Sequence, residues 1–108
     1  MLTNRKDERQ LVYKLFKFAN LAAQSWKLDL TDVYIKNDMD LLGACWDDGT
    51  IEIRMWYRNR KSKKNKRFKI KDLQETLAHE LAHLKYFNHS KKHKELTKAI
   101  LLWLKQNW

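Results

Sequence analysis

Apolar residues recur at every third or fourth position over the first quarter of the chain, a spacing that predicts an amphipathic helix. Thr3 or Asn4 can cap its start, and the pattern ends near Lys27. The apolar stripe of this helix consists of Leu11, Val12, Leu15, Phe18, Ala19, Ala22 and Trp26. One side of the helix is therefore expected to face a core.

Three short stretches with strand character follow, at 33–35, 41–46 and 50–57. Asp48-Gly49 separates the second stretch from the third, and this dipeptide favours the tight turn of a β-hairpin. In the third stretch Ile51, Ile53 and Met55 alternate with polar side chains, so we expect a half-buried strand.

Two further helices are predicted in the last third of the chain. Asp72 and Glu75 have the spacing of a capping box at the start of a helix over about 73–87, which Asn88 can end. Ser90 can cap a third helix. The buried stripe expected for this third helix consists of Leu96, Ala99, Ile100, Trp103 and Leu104.

The order of these elements predicts one α+β domain over residues 1–108, with helices packed on a small, mainly antiparallel three-stranded sheet. The chain has 44% hydrophobic and 33% charged residues and no proline, which argues against disorder. No apolar run is long enough to span a bilayer and no signal-peptide pattern is present, so we expect a cytoplasmic protein without a membrane partner. Cys45 is the single cysteine, which excludes an intramolecular disulfide and a cysteine-rich zinc site.

The net charge of +10 is concentrated in one segment of the chain. From Arg58 to Lys71 there are nine Lys or Arg residues and no acid, so the rest of the chain carries about +1. A solvated loop between two elements is one interpretation, and a surface for nucleic-acid phosphates is the other. Phe68 is the one aromatic residue inside this basic segment, so base stacking receives little support.

The second predicted helix contains His79-Glu80-Leu81-Ala82-His83. His79 and His83 are one helical turn apart on nearly the same face, so both imidazoles can contact one zinc ion. Glu80 lies about 100° further round the helix, beside the ion, where a general base for an attacking water is needed. The spacing therefore predicts a metal site with a candidate catalytic carboxylate.

A catalytic zinc site needs a third protein ligand and one open position. We expect His89 to be that ligand, because a chain reversal after the second helix would bring its imidazole back towards the ion. His93 is the alternative third ligand; otherwise it would support or pack against the ligands. Glu95 is a further candidate, ranked below both histidines.

The stretch from His79 to Lys92 resembles the active-site segment of the minigluzincins, which are small gluzincin-like metallopeptidases, and of the SprT-like and Wss1-like metalloproteases. The resemblance implies a compact zincin-like domain that has an N-terminal helix, a small sheet, an active-site helix and a C-terminal helix. It implies Zn²⁺ as cofactor, ligated by His79, His83 and His89, with Glu80 as catalytic base and acid.

This chain departs from the related patterns at a few positions. The family usually has an aromatic residue where His93 stands, which leaves His93 open as a competing ligand. Metzincin peptidases share the histidine ten residues after His79, but they carry a glycine where Tyr86 stands and a later methionine turn. No methionine follows Met55, so a metzincin is excluded.

The resemblance implies a zinc-dependent endopeptidase whose peptide or protein substrate extends along an edge strand from Thr50 to Tyr57. C-terminal segments block the cleft in minigluzincins, so the segment from Leu101 to Trp108 is expected to make this chain latent. One alternative is an SprT-like protease that acts on DNA-bound proteins and holds DNA through the segment from Arg58 to Lys71. The other is a non-catalytic, zinc-stabilised binding domain, in which Glu80 would have no use.

Overall fold

The structure of the protein, a computed structural model, describes residues 5–108, and the side chains from Asp7 onward. The cap expected at Thr3 or Asn4 lies outside the described residues. The elements are, in chain order, α1 (Arg5–Trp26), β1 (Asp32–Ile35), β2 (Gly43–Cys45), β3 (Thr50–Ile53), β4 (Trp56–Arg58), β5 (Asn65–Arg67), α2 (Ile70–His83) and α3 (Lys91–Asn107). The predicted α+β class is confirmed.

The strands form a three-stranded sheet in the order β1-β3-β2 and a separate two-stranded hairpin of β4 and β5. β3 is parallel to β1 and antiparallel to β2, so the central sheet is mixed. The prediction that the strand beginning at Thr50 lies at an edge is wrong, since β3 occupies the centre and pairs on both sides. The described edge next to α2 belongs to β2.

The stretch predicted as one strand over 50–57 is divided into β3 and β4. The side-chain oxygen of Asn37 accepts hydrogen bonds from the backbone N–H groups of Met55 and Trp56, at 3.0 and 3.2 Å. Because these donors bond to Asn37, the chain leaves the central sheet here and continues into the hairpin with β5. Part of the basic segment, expected to be a loop, is therefore a β-strand.

Helix α2 begins earlier and ends earlier than predicted. Its N-cap is Lys69, which makes no side-chain capping bond, so the capping box at Asp72 is wrong. The helix ends at His83, and the N–H groups of Lys85 and Tyr86 both bond to the carbonyl of Ala82, which tightens the last turn. A non-helical segment from 85 to 90 then leads to α3, where Ser90 acts as the predicted cap by accepting a hydrogen bond from the N–H of His93.

The three helices and the sheet enclose one apolar core. Helix α2 lies between α3 and the sheet, and α1 packs on α2 and on β1. The fully buried side chains include Leu15 of α1, Ile51 and Ile53 of β3, Leu73, Leu77 and Leu81 of α2, and Ile100 and Leu104 of α3. Burial of three leucines on one face of α2 fixes the rotation of that helix, and so decides where its polar side chains point.

The C-terminal segment packs on α1. Trp108 stacks on Phe18 with ring centroids 5.3 Å apart, and Trp103 contacts Phe18 and Trp26 edge-on at 5.8 and 5.9 Å. These ring contacts of the segment are with α1, and blocking of the cleft stays a prediction. None of the helices in the described part of the chain combines the length and the apolar character that crossing a membrane requires.

Candidate metal centre

Three imidazole nitrogens meet at the end of α2. The Nε2 atoms of His79 and His83 are 3.1 Å apart, and each lies 3.2 Å from Nε2 of His89. The spacing of one helical turn brings the imidazoles of His79 and His83 together. The chain then reverses after His83, so that the imidazole of His89 completes the triangle. The structure brings together the three residues that the sequence singled out.

The size of this triangle suits a metal ion. A tetrahedral zinc with Zn–N distances of about 2.0–2.1 Å separates its nitrogen ligands by about 3.3 Å. Nitrogens 3.1–3.2 Å apart that all point inward therefore lie close to the spacing of three zinc ligands. His89 is exposed while His79 and His83 are partly buried, so solvent reaches the triangle from the side of His89.

The imidazoles are held in the form that binds metals. Burial, reinforced by the neighbouring imidazole of His83, lowers the pKa of His79 to about 4, and burial also lowers the pKa of His83. The Nδ1 of His83 lies 3.0 Å from the backbone carbonyl of Tyr86, so Nδ1 carries the proton and donates it, which leaves the Nε2 lone pair free. Both rings are therefore neutral near pH 7, as metal ligands must be.

His93 lies directly behind the triangle and is 2% exposed. Its Nε2 donates to the backbone carbonyl of His79 at 3.1 Å, and its ring stacks on that of His83 with centroids 4.1 Å apart. His79, His83 and His93 form a second possible set of metal ligands, because their ligand atoms all lie within 4.8 Å of one another. The set with His89 has the shorter and more equal spacing. The Nδ1 atom of His93 is buried without a hydrogen-bond partner among the described residues, so His93 keeps a free nitrogen for the alternative set.

Glu80 directly follows His79 on α2, and its side chain packs against β2 at Gly43. Its carboxylate is 7% exposed and receives no hydrogen bond from any described residue. Burial raises its pKa to about 7. A carboxyl group with a pKa close to neutral pH can both accept and release a proton under ordinary conditions, which is the property required of a general base and acid.

The edge strand β2 approaches α2 closely at Gly43. A β-carbon at this glycine would lie 2.7 Å from Cγ2 of Thr76 and 3.0 Å from both Cγ and Oε2 of Glu80. Only glycine allows this approach, which places the strand against the candidate base. Sequence reasoning missed this role, although Gly43 is one of just two glycines in the chain, which could have served as a signal.

Replacing Gly43 with alanine is expected to destabilise the fold by about 1–3 kcal/mol, because overpacking forces β2 away from Thr76 and Glu80. For a domain of this size, each kcal/mol lowers the thermal midpoint by roughly 4–8 °C. Calorimetry of Gly43→Ala, compared with the double variant Gly43→Ala/Thr76→Ser, measures the effect. The second substitution removes the nearer methyl and should recover part of the loss; an unchanged midpoint in the single variant would contradict the close approach.

Three other residues named from the sequence, Tyr86, Glu95 and Cys45, are not among the candidate metal ligands. Tyr86 contributes its backbone carbonyl to the Nδ1 of His83, as described. Glu95 is exposed on α3 and belongs to neither metal-binding set. The thiol of Cys45 is half-buried beside Glu80, and burial raises its pKa to about 11, so it stays protonated at neutral pH.

Comparison with known proteins agrees with this architecture. The chain resembles a crystal structure of Wss1 from Saccharomyces cerevisiae with a TM-score of 0.75 and 19% identity, over 95% of this chain and 80% of that one. A structure of a Wss1 mutant from the same yeast gives a TM-score of 0.74 and 18% identity, over 95% and 82%. At this identity the likeness is one of fold. No protein with a curated description matches.

The chain can be assigned to a protein family by its match to a family model, which the similarity of fold alone does not allow. The model described as the WLM domain matches residues 7–103, a stretch that includes all four histidines, Glu80 and β2. The Wss1-like part of the resemblance is thereby confirmed, while the minigluzincin part stays a prediction. Because the match spans nearly the whole chain, this protein belongs to the WLM domain family.

Proposed function

We propose that the protein is a zinc-dependent peptidase, with His79, His83 and His89 as the metal ligands and Glu80 as the general base. The observation that carries the proposal is the triangle of three Nε2 atoms with sides of 3.1–3.2 Å. Bound there, zinc would polarise a peptide carbonyl and lower the pKa of water to about 7. Substitution of Glu80 by glutamine tests the proposal, because hydrolysis should be lost while the metal is kept.

The chain's own residues have separate tasks in this proposal. Glu80 takes a proton from the attacking water and passes it to the departing amine, which suits a buried carboxyl group whose pKa is about 7. His93 holds His79 through its backbone carbonyl and packs on the ring of His83, so it orients two ligands. The substantial burial around Glu80 limits the access of bulk water to the reacting groups.

The substrate position follows from the free edge of β2. The carbonyl of Leu42 accepts a hydrogen bond from the N–H of Arg54, just after β3, at 2.9 Å, and the N–H of Trp46 donates to the carbonyl of Thr50 at 2.8 Å. Such bonds alternate along an antiparallel pair. The N–H and C=O groups of Gly43 and Cys45 therefore point away from β3. We propose that an extended peptide pairs with these groups, and this replaces the pairing expected along β3.

A second function is favoured by the β4–β5 hairpin. The turn between its strands is closed by the backbone of Asn59 and Lys64, and the nine cations from Arg58 to Lys71 are all exposed. We propose that this surface binds nucleic-acid phosphates and so brings the peptidase to DNA-bound proteins. The single Cys45 agrees with a reducing cytoplasm as the place of action.

Binding of a labelled DNA duplex is expected at 50 mM salt and should weaken by about 10³-fold or more at 200 mM, if six or more of these cations contact phosphates. Replacement of Lys61, Lys63 and Lys64 by glutamine should reduce both the affinity and the salt dependence. Fluorescence anisotropy measures both quantities, with Lys94→Gln/Lys98→Gln/Lys105→Gln on α3 as a control that removes the same number of charges. Absence of binding at 50 mM would exclude this second function and leave the peptidase proposal in place.

A further inference from the structure

Acidic residues are segregated around the central sheet. Residues 28–53, which include β1, β2 and β3, carry seven acids and one lysine, so this segment has a net charge of −6 while the rest of the chain carries +16. The acids are Asp29, Asp32, Asp38, Asp40, Asp47, Asp48 and Glu52. Of the 23 Lys and Arg residues of the chain, only Lys36 lies in the segment that carries the free edge.

Acids lie close to both ends of β2. Asp40 comes three residues before Gly43 and Asp47 two residues after Cys45, which corresponds to at most about 11 Å of chain on either side. Both carboxylates are exposed, and neither makes a hydrogen bond or ion pair within the described residues. The one ion pair of this face joins Lys36 to Glu52 of β3. The charges at Asp40 and Asp47 are therefore not neutralised by their own chain.

Apolar side chains accompany these acids. Leu41 is 65% exposed, Leu42 54% and Trp46 54%. The indole N–H of Trp46 donates to Glu52, which keeps the ring on the outer face of the sheet. A peptide in contact with this edge would meet apolar surface next to the paired backbone and a negative charge at either end.

We propose that β2 selects extended peptides that carry Lys or Arg on both sides of the paired segment. The inference deepens the proposed peptidase function and rests on it. A second copy of this chain is a poorer occupant, because antiparallel pairing of two β2 strands would place Asp40 of one chain near Asp47 of the other. Nucleic acid is disfavoured here by the same negative charge.

The size of the effect follows from exposed ion pairs. Each pair between solvated side chains contributes modestly, and two such pairs correspond to about three- to tenfold in affinity at 50 mM salt. At 500 mM salt the Debye length falls to roughly 4 Å and the preference should largely disappear. The basic segment from Arg58 to Lys71 repels positively charged peptides and attracts negatively charged ones, which opposes the effect of Asp40 and Asp47. Each variant is therefore compared with the parent protein on the same peptide.

The test uses three unstructured twelve-residue peptides that share an apolar centre and are flanked by Lys, Gln or Glu. Binding to the zinc-loaded Glu80→Gln form is measured by fluorescence anisotropy, and hydrolysis by the zinc-loaded active form is followed by mass spectrometry. Asp40→Asn/Asp47→Asn should weaken binding of the Lys-flanked peptide three- to tenfold and leave the Gln-flanked peptide unchanged. Asp40→Lys/Asp47→Lys should reverse the preference towards the Glu-flanked peptide, and the exposed control Glu75→Gln on α2 should alter neither.

The outcomes separate the two proposals. A charge-dependent preference in binding without any hydrolysis supports the selective edge and overturns the peptidase function. Hydrolysis of all three peptides at rates that the Asp40 and Asp47 variants do not change overturns the selective edge and leaves the peptidase function standing. If the protein neither binds nor hydrolyses any of the peptides, both proposals are overturned. A dimer of the parent protein in sedimentation velocity that these peptides fail to dissociate would also count against the selective edge.

Discussion

Glu80→Gln is expected to lower peptide hydrolysis by about 10²–10⁴-fold, the usual contribution of a general acid–base group, while the protein retains its zinc. Glutamine has nearly the same shape as glutamate but cannot accept the proton of the attacking water. The native carboxylate is buried and receives no hydrogen bond from the described residues, so its replacement breaks no hydrogen bond. The fold should therefore be unaffected, or slightly more stable, because burial already penalises the charged form.

The measurement combines the cleavage rate of a denatured polypeptide with the zinc content of the purified protein. Glu75→Gln is a matched control, since Glu75 is exposed on the same helix and lies outside the centre. If Glu80→Gln leaves both cleavage and zinc content unchanged, Glu80 is not the catalytic base. If the parent protein binds zinc tightly but cleaves nothing, the alternative of a zinc-stabilised, non-catalytic domain is the correct one.

His89→Ala is expected to weaken zinc binding by about 10²–10³-fold, because the roughly 10–16 kcal/mol typical of a protein zinc site is shared among its ligands. His93→Phe should cost less, about 10–100-fold, the range for residues that support a ligand without contacting the metal. Phenylalanine can preserve the stacking on His83, but it cannot donate to the carbonyl of His79. The two substitutions thus separate a ligand from a positioning residue.

Competition with a chromophoric chelator gives both zinc affinities, and thermal unfolding of the metal-free forms shows whether either substitution harms the fold. His89 is exposed, so the metal-free His89→Ala protein should unfold at the same temperature as the parent. The opposite ranking, with His93→Phe losing zinc and His89→Ala retaining it, would identify His79, His83 and His93 as the ligand set.

Local pattern was sufficient to predict much of the centre. The spacing of His79 and His83 predicts that both imidazoles lie on one face of their helix. The structure places both imidazoles together, and it confirms the cap at Ser90 that starts α3. These features depend on residues within one or two turns of each other, which is why a single sequence reveals them.

Predictions that depend on contacts between distant segments were less accurate. The strand beginning at Thr50 was expected at the edge and lies in the centre, because β3 pairs in parallel with β1 on one side and antiparallel with β2 on the other. The division of that strand depends on Asn37, eighteen residues from Met55 along the chain. The packing of the C-terminal Trp108 on Phe18 of α1 likewise joins residues that are far apart in the sequence.

The sequence by itself determined the α+β composition, the helix that carries His79, Glu80 and His83, and the concentration of basic charge in one segment. Each of these is a property of neighbouring residues, so helical or strand periodicity and simple counting are enough to find it. Only the tertiary structure decided that Nε2 of His89 closes the triangle, that β2 is the free edge, and that Gly43 lets this edge reach Glu80. Those outcomes depend on how the chain turns after His83 and on the order of strands in the sheet, which are set by packing of the whole core and leave no local pattern in the sequence.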